Sequence, residues 1–65
     1  MKLTWRQLQV LRDIDARGTV DIRRQIEEYR QRAIDLGMME PPLVDIEADR
    51  LTLTDAGREA LKATP

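Results

Sequence analysis

The chain has 65 residues, 35% of them charged, a formal net charge of −1, and neither Cys nor His. A chain this short buries only about 60% of the surface its unfolded form exposes, so a single small domain over residues 1–65 with an apolar core is expected. Disulfides, thiolate metal sites and imidazole chemistry are excluded by composition, and no apolar run approaches the roughly 20 residues of a membrane helix.

Met1-Lys2-Leu3 opens a structured segment without the pattern of a secretory signal, so a cytoplasmic protein is expected. The charge is uneven: residues 1–20 sum to +2, residues 21–40 to −1 and residues 41–65 to −2. Nucleic-acid domains usually present a basic face, so this distribution bears on function.

The first predicted helix starts at Thr4, with Gln7 three residues on as a capping box and Leu3 and Leu8 in the staple positions. It should stop at Gly18, which takes a left-handed conformation at low cost. Leu8, Val10, Leu11 and Ile14 share its buried arc, while Trp5 points elsewhere, near Gln9 and Arg12.

A second helical pattern follows, with Asp21 as its N-cap. Ile22, Ile26, Tyr29, Ala33 and Leu36 form a core stripe stepping by 4, 3, 4 and 3, and no Gly or Pro interrupts residues 19–36. Gly37 is the expected stop. Met38 and Met39 are read as folding back onto the core, as gap-fillers, and Tyr29 as a core residue. Ile34 lies off the stripe, where it can bury in a dimer or under the following hairpin.

Pro41 and Pro42 then forbid further helix. Val44 and Ile46 alternate with Asp45 and Glu47, and Leu51 and Leu53 alternate with Thr52 and Thr54, which predicts a hairpin with a tight turn at Ala48-Asp49. The final helix runs from Asp55 to Ala63 with Thr54 as its cap. Gly57 costs that helix about 1 kcal/mol relative to Ala, so its expected use is close approach to another backbone.

"LTWRQLQVLRDIDARG" (3–18), "RAIDLGMME" (32–40) and "RLTLTDAGREALKA" (50–63) together resemble winged helix-turn-helix regulators of the MarR type and related families. The resemblance implies an α+β fold, a small winged-helix domain whose helices pack with a two-stranded β-hairpin wing in the order α-α-β-β-α. Those families place a full helix, a turn and the recognition helix before the wing. Here 18 residues separate Gly18 from Gly37, room for one long helix or for a stub plus a helix.

The resemblance also implies double-stranded DNA as partner and a transcriptional regulator acting as a dimer. The second helix would enter the major groove and the wing would meet the backbone. Arg23, Arg24, Arg30 and Gln31 then become the candidate base or phosphate contacts and Arg50 the wing contact, with Arg6 and Lys2 adding to the set. The same residues also read as a solvated or protein-contacting face, because Arg23–Glu27, Arg24–Glu28 and Glu28–Arg32 are spaced for ion pairs along a helix. Asp45, Glu47 and Asp49 outweigh Arg50 on the wing, and nonspecific DNA affinity is mostly phosphate neutralisation.

The alternative is therefore a winged-helix protein-interaction module that does not bind DNA, of a size that suits a phage or mobile-element accessory factor. Trp5 either covers the domain edge against the last helix or the chain end, or anchors a partner, since Trp is enriched at binding hot spots. No nucleophile–base pair or phosphate loop is present, so no enzyme and no cofactor are expected. Asp45, Glu47 and Asp49 alternate on one strand and are read as solvated carboxylates rather than a metal site.

Overall fold

Thr4 starts the first helix, α1 (Trp5–Arg17), with the expected reciprocal bonds: its hydroxyl accepts from the Gln7 amide at 3.1 Å, and its own amide donates to Gln7 Oε1 at 2.8 Å. The computed structural model describes residues 3–63, so Lys2 lies outside the described residues. Gly18 ends α1 at φ +83°, its amide donating to the Ile14 carbonyl at 2.8 Å. Leu3 and Leu8 both pack against the core, as their staple positions require.

Of the two arrangements that the room between Gly18 and Gly37 allows, the stub plus a helix is found and the unbroken helical stripe from Ile22 is not. Val20–Asp21 forms a short strand, β1; Ile22–Arg24 makes one turn of 3-10 helix; α2 spans only Glu27–Gly37. Asp21 does cap, but it caps the short turn, accepting from the Arg23 amide at 3.0 Å. The reason for the break is tertiary. Val20 buries itself by pairing with Leu51, and the Ile22 amide finds the carbonyl of Asp49 at 2.9 Å. The Val20–Leu51 pairing and the Ile22–Asp49 bond hold this segment against the hairpin, so the α-helix starts only at Glu27. Ile26 consequently falls at the N-cap of α2, makes no side-chain cap, and is 72% exposed instead of belonging to the core stripe.

The hairpin follows as predicted. Strands β2 (Val44–Glu47) and β3 (Arg50–Leu53) pair antiparallel, with Val44 opposite Leu53 and Ile46 opposite Leu51. Two-residue hairpin turns of this kind need positive φ at both central residues, and Ala48 and Asp49 adopt +50° and +63°. The sheet nevertheless has three strands, in the order β1-β3-β2, because β1 adds to the free edge of β3. The fold is thus α+β, with three α-helices and a three-stranded antiparallel sheet among the described residues.

Helix α3 (Asp55–Lys62) begins where expected, the Thr54 hydroxyl accepting from the Gly57 amide at 3.0 Å and donating to the Pro42 carbonyl at 2.6 Å. Gly57 is used for close approach: a Cβ there would overlap the backbone carbonyl of Leu43. Helices and sheet enclose one core built on Leu11, Ile14, Leu36, Val44 and Leu51, all essentially free of solvent.

Two further expectations are corrected. Met38 does not fold back but stands 78% exposed just past α2, while Met39 packs on the core. Ile46 shares a face with Val44 but sits at the outer strand of the sheet and is exposed. Tyr29 packs against the core as expected, half-buried, with its hydroxyl donating to Asp13 at 2.7 Å, and burial followed by that bond pushes its phenol well above its usual pKa. Among the described residues no helix is long and apolar enough to cross a membrane.

Candidate interaction surfaces

Two surfaces carry the residues singled out from the sequence. The first is the outward side of α2 together with the hairpin. The hairpin turn is tied to the 3-10 turn, since Asp49 lies 3.7 Å from Arg23. At the other end, Ile34, Gly37 and Met38 border a groove of about 300 Å³ against Pro42, Val44, Asp45 and Ile46. Exposed carboxylates on this side are Glu27, Glu28, Asp35, Asp45, Glu47 and Asp49; exposed cations are Arg23, Arg24, Arg30 and Arg50.

Four of the five candidate DNA contacts are engaged within the chain. Arg23 donates from Nε and Nη2 to the two oxygens of Asp21, each at 3.2 Å. Arg24 approaches Asp21 at 3.8 Å, Gln31 donates to Asp35 at 3.1 Å, and Arg50 donates to the Thr19 hydroxyl at 3.2 Å. Arg30 faces solvent and makes no ion pair among the described residues. The break before α2 re-routes the charges: Arg23 and Arg24 turn to Asp21 instead of Glu27 and Glu28, and of the three pairs expected along the helix only Glu28–Arg32 forms, at 3.7 Å.

The Arg23 side chain and amide, both bonded to Asp21, hold its carboxyl below its ordinary value of 3.8. A carboxylate depressed in this way stabilises the fold above its ordinary pKa, and that contribution is lost as pH falls through the lowered value. Replacing Arg23 by Gln is expected to bring the Asp21 titration back up towards its ordinary range. Carbon-detected NMR titration of the Asp21 carboxyl checks this; an unmoved midpoint would mean that the Arg23 guanidinium is not its partner in solution.

No protein-family model, curated protein or solved structure matches this chain.

The second surface lies on the other side of α2. Trp5 belongs to this surface. It stands 69% exposed at the first turn of α1, and with Arg6, Gln9, Ile26, Tyr29 and Arg32 it borders a groove of about 380 Å³ between α1 and α2. Asp13, at the floor of this groove, is occupied: one oxygen accepts from Arg17 Nε at 2.9 Å and the other from Tyr29. Arg6 makes no ion pair among the described residues. Sequence periodicity missed Ile26 as a surface residue because it assumed an unbroken helix; Met38 lies past the expected stop at Gly37, where no periodicity applies. The signal that could have found the break is the β-branched pair Thr19-Val20 after Gly18, an extended segment with an apolar residue for the sheet.

Proposed function

We propose that this chain is a winged-helix-type module that binds a protein partner through the face formed by α2 and the hairpin. Support for the winged-helix reading comes from the sheet order β1-β3-β2, with a helix entering before the hairpin and another closing after it, and from the 3-10 turn standing where a full second helix would be. One observation carries the choice of partner. Along the 3-10 turn, α2 and the hairpin, the elements that a winged helix brings to DNA, six exposed carboxylates stand against four exposed guanidinium groups, and three of those four cations already lie against a carboxylate or hydroxyl of the chain. Phosphate neutralisation, the main source of DNA affinity, is weak on such a face. Exposed Ile34, Met38 and Ile46 around its groove suit a protein contact, where apolar side chains surrounded by a polar rim are the usual arrangement.

A mobility-shift experiment with random duplex at low salt tests this. No shift at micromolar protein is the expected result, together with cross-linking to a protein from a photoreactive residue placed at Met38 and none from one at Glu59 on α3. A duplex shift that fades as salt is added overturns the reading.

That outcome would establish the second reading, a dimeric DNA-binding regulator of transcription. It is favoured by Arg30 and Gln31 on the outward side of α2 and by the high exposure of Arg24. Under it, Arg24→Glu removes the shift and leaves the circular dichroism spectrum unchanged.

A further inference from the structure

Five large apolar side chains stand exposed among the described residues, and they fall into two groups: Trp5 with Ile26, and Ile34 with Met38 and Ile46. Each group borders one of the two grooves. The charges beside them have opposite signs. Arg6 and Arg32 flank the Trp5–Ile26 groove; Arg6 makes no ion pair among the described residues, Arg32 lies 3.7 Å from the exposed Glu28, and Asp13, the carboxylate lining the groove, accepts from Arg17 and Tyr29. Asp45 flanks the Met38–Ile46 groove with Glu47 next to it on β2, and neither carboxylate makes an ion pair among the described residues.

Folding does not account for these placements. Arg6 occupies the first turn of α1, which contains no acidic residue, so its charge opposes the helix dipole instead of complementing it. Ile26 holds an N-cap position without capping, where Ser, Thr, Asp or Asn would stabilise the helix. Both features sit in the same groove.

We propose that the occupant of the Trp5–Ile26 groove is a second copy of this chain. Met38 and Ile46 of one copy enter the groove of the next, with Met38 against the Trp5 ring and Asp45 and Glu47 beside Arg6 and Arg32. Thioether–aromatic contact and charge pairing at the rim are both favourable. This rests on the protein-partner reading above and names that partner.

The geometry also gives the symmetry. Arg32 and Ile34 are two positions apart on α2, about 200° around its axis, so the two surfaces face opposite ways. Ile26 and Met38 are separated along that axis by about 18 Å. One neighbour cannot engage both surfaces at once, so association runs head to tail and passes beyond a dimer, to a ring where the rotation between copies closes and to an open filament where it does not.

Sedimentation equilibrium without nucleic acid tests the proposal. The wild-type average mass is expected to rise with protein concentration beyond that of a dimer and to fall as salt is added. Arg6→Glu disables the groove, and Met38→Glu disables the inserting face; each variant alone is expected to be monomeric, with self-association weakened at least about tenfold. Mixed in equal amounts, the two retain one intact groove and one intact face between them, and a one-to-one dimer that grows no further is expected. Glu at position 6 suits a helix N-terminus, so Arg6→Glu keeps its fold, and Asp45→Ala serves as a milder second face variant whose folded state is checked by circular dichroism. A wild-type monomer at all concentrations overturns the proposal, as does unaltered association of either variant. A wild-type dimer that stops at two copies, with no rescue on mixing, overturns it in favour of a two-fold contact. A monomer that gives no duplex shift yet cross-links to another protein at Met38 leaves the protein-partner reading standing while this proposal falls.

Discussion

Replacing Leu51 by Ala is expected to lower the melting temperature by at least ~10 °C, which follows from a loss of about 2–5 kcal/mol on emptying a fully buried leucine site and ~4–8 °C per kcal/mol in a domain of this size. Leu51 is completely buried on β3, the central strand, with Val20 opposite it on β1 and Ile46 on β2. The hole would open between the sheet and α1, which packs on β3. A chain of this length has a total stability of only about 3–10 kcal/mol at typical values per residue, so a substantial unfolded population at room temperature is part of the expectation. Thermal melts followed by circular dichroism provide the measurement, with Ile46→Ala as comparison. Ile46 faces Leu51 across the hairpin but is exposed, so its truncation should barely move the transition. Equal shifts for the two variants would show that Leu51 is not at the centre of the core.

Most of the elements were legible in the sequence because their signals were local. Thr4 with Gln7, Thr54 before Asp55 and the Ala48-Asp49 turn each specify their geometry within a few residues, and all three are found where the pattern places them. The alternation of Val44, Ile46, Leu51 and Leu53 gave the hairpin its register. Residues 19–26 were not legible in the same way. Their helical periodicity is real, but the favourable alternative is a strand pairing with Leu51, more than 30 positions away, and an amide bond to Asp49 in the hairpin turn. Non-local contacts of that kind leave no periodicity to read, and here they outweigh a helical preference worth only tenths of a kcal/mol per residue.

That one break explains most of what was misplaced at the candidate site. It moves Ile26 from the core stripe to an exposed cap and turns Arg23 and Arg24 away from α2 towards Asp21. Arg30 and Gln31 stay outward, as the helical wheel requires, since they lie beyond the break. Trp5 was legible as a residue off the buried arc of α1, but what it faces depends on where α2 begins. The groove it borders exists because α2 starts at Glu27, with Ile26 beside Trp5 at its mouth.

Gly57→Ala is the second substitution with a large expected effect, and two opposing contributions decide its sign. Alanine gains about 1 kcal/mol over glycine in a helix interior. Against that, its Cβ would overlap the carbonyl oxygen of Leu43 and come within 3.3 Å of Leu53 Cδ2. The first of these neighbours is backbone and is fixed on both sides: the Leu43 carbonyl accepts from the Thr54 amide at 3.2 Å, and the Leu43 amide donates to the Leu36 carbonyl at 3.0 Å. Moving it loosens the junction where the end of α2, the start of β2 and the cap of α3 meet. Overpacking of this kind costs about 1–3 kcal/mol and often more where backbone must shift, so net destabilisation is expected despite the helix gain. A melting point above that of the wild type would show that the approach is not tight. The displacement has a functional reading as well. Leu43 leads directly into Val44, Asp45 and Ile46, the strand that carries the acidic, apolar face, so Gly57→Ala should weaken association through that face even at temperatures where the domain remains folded. Glu59→Ala, an exposed change on the same helix, should leave both properties as they are.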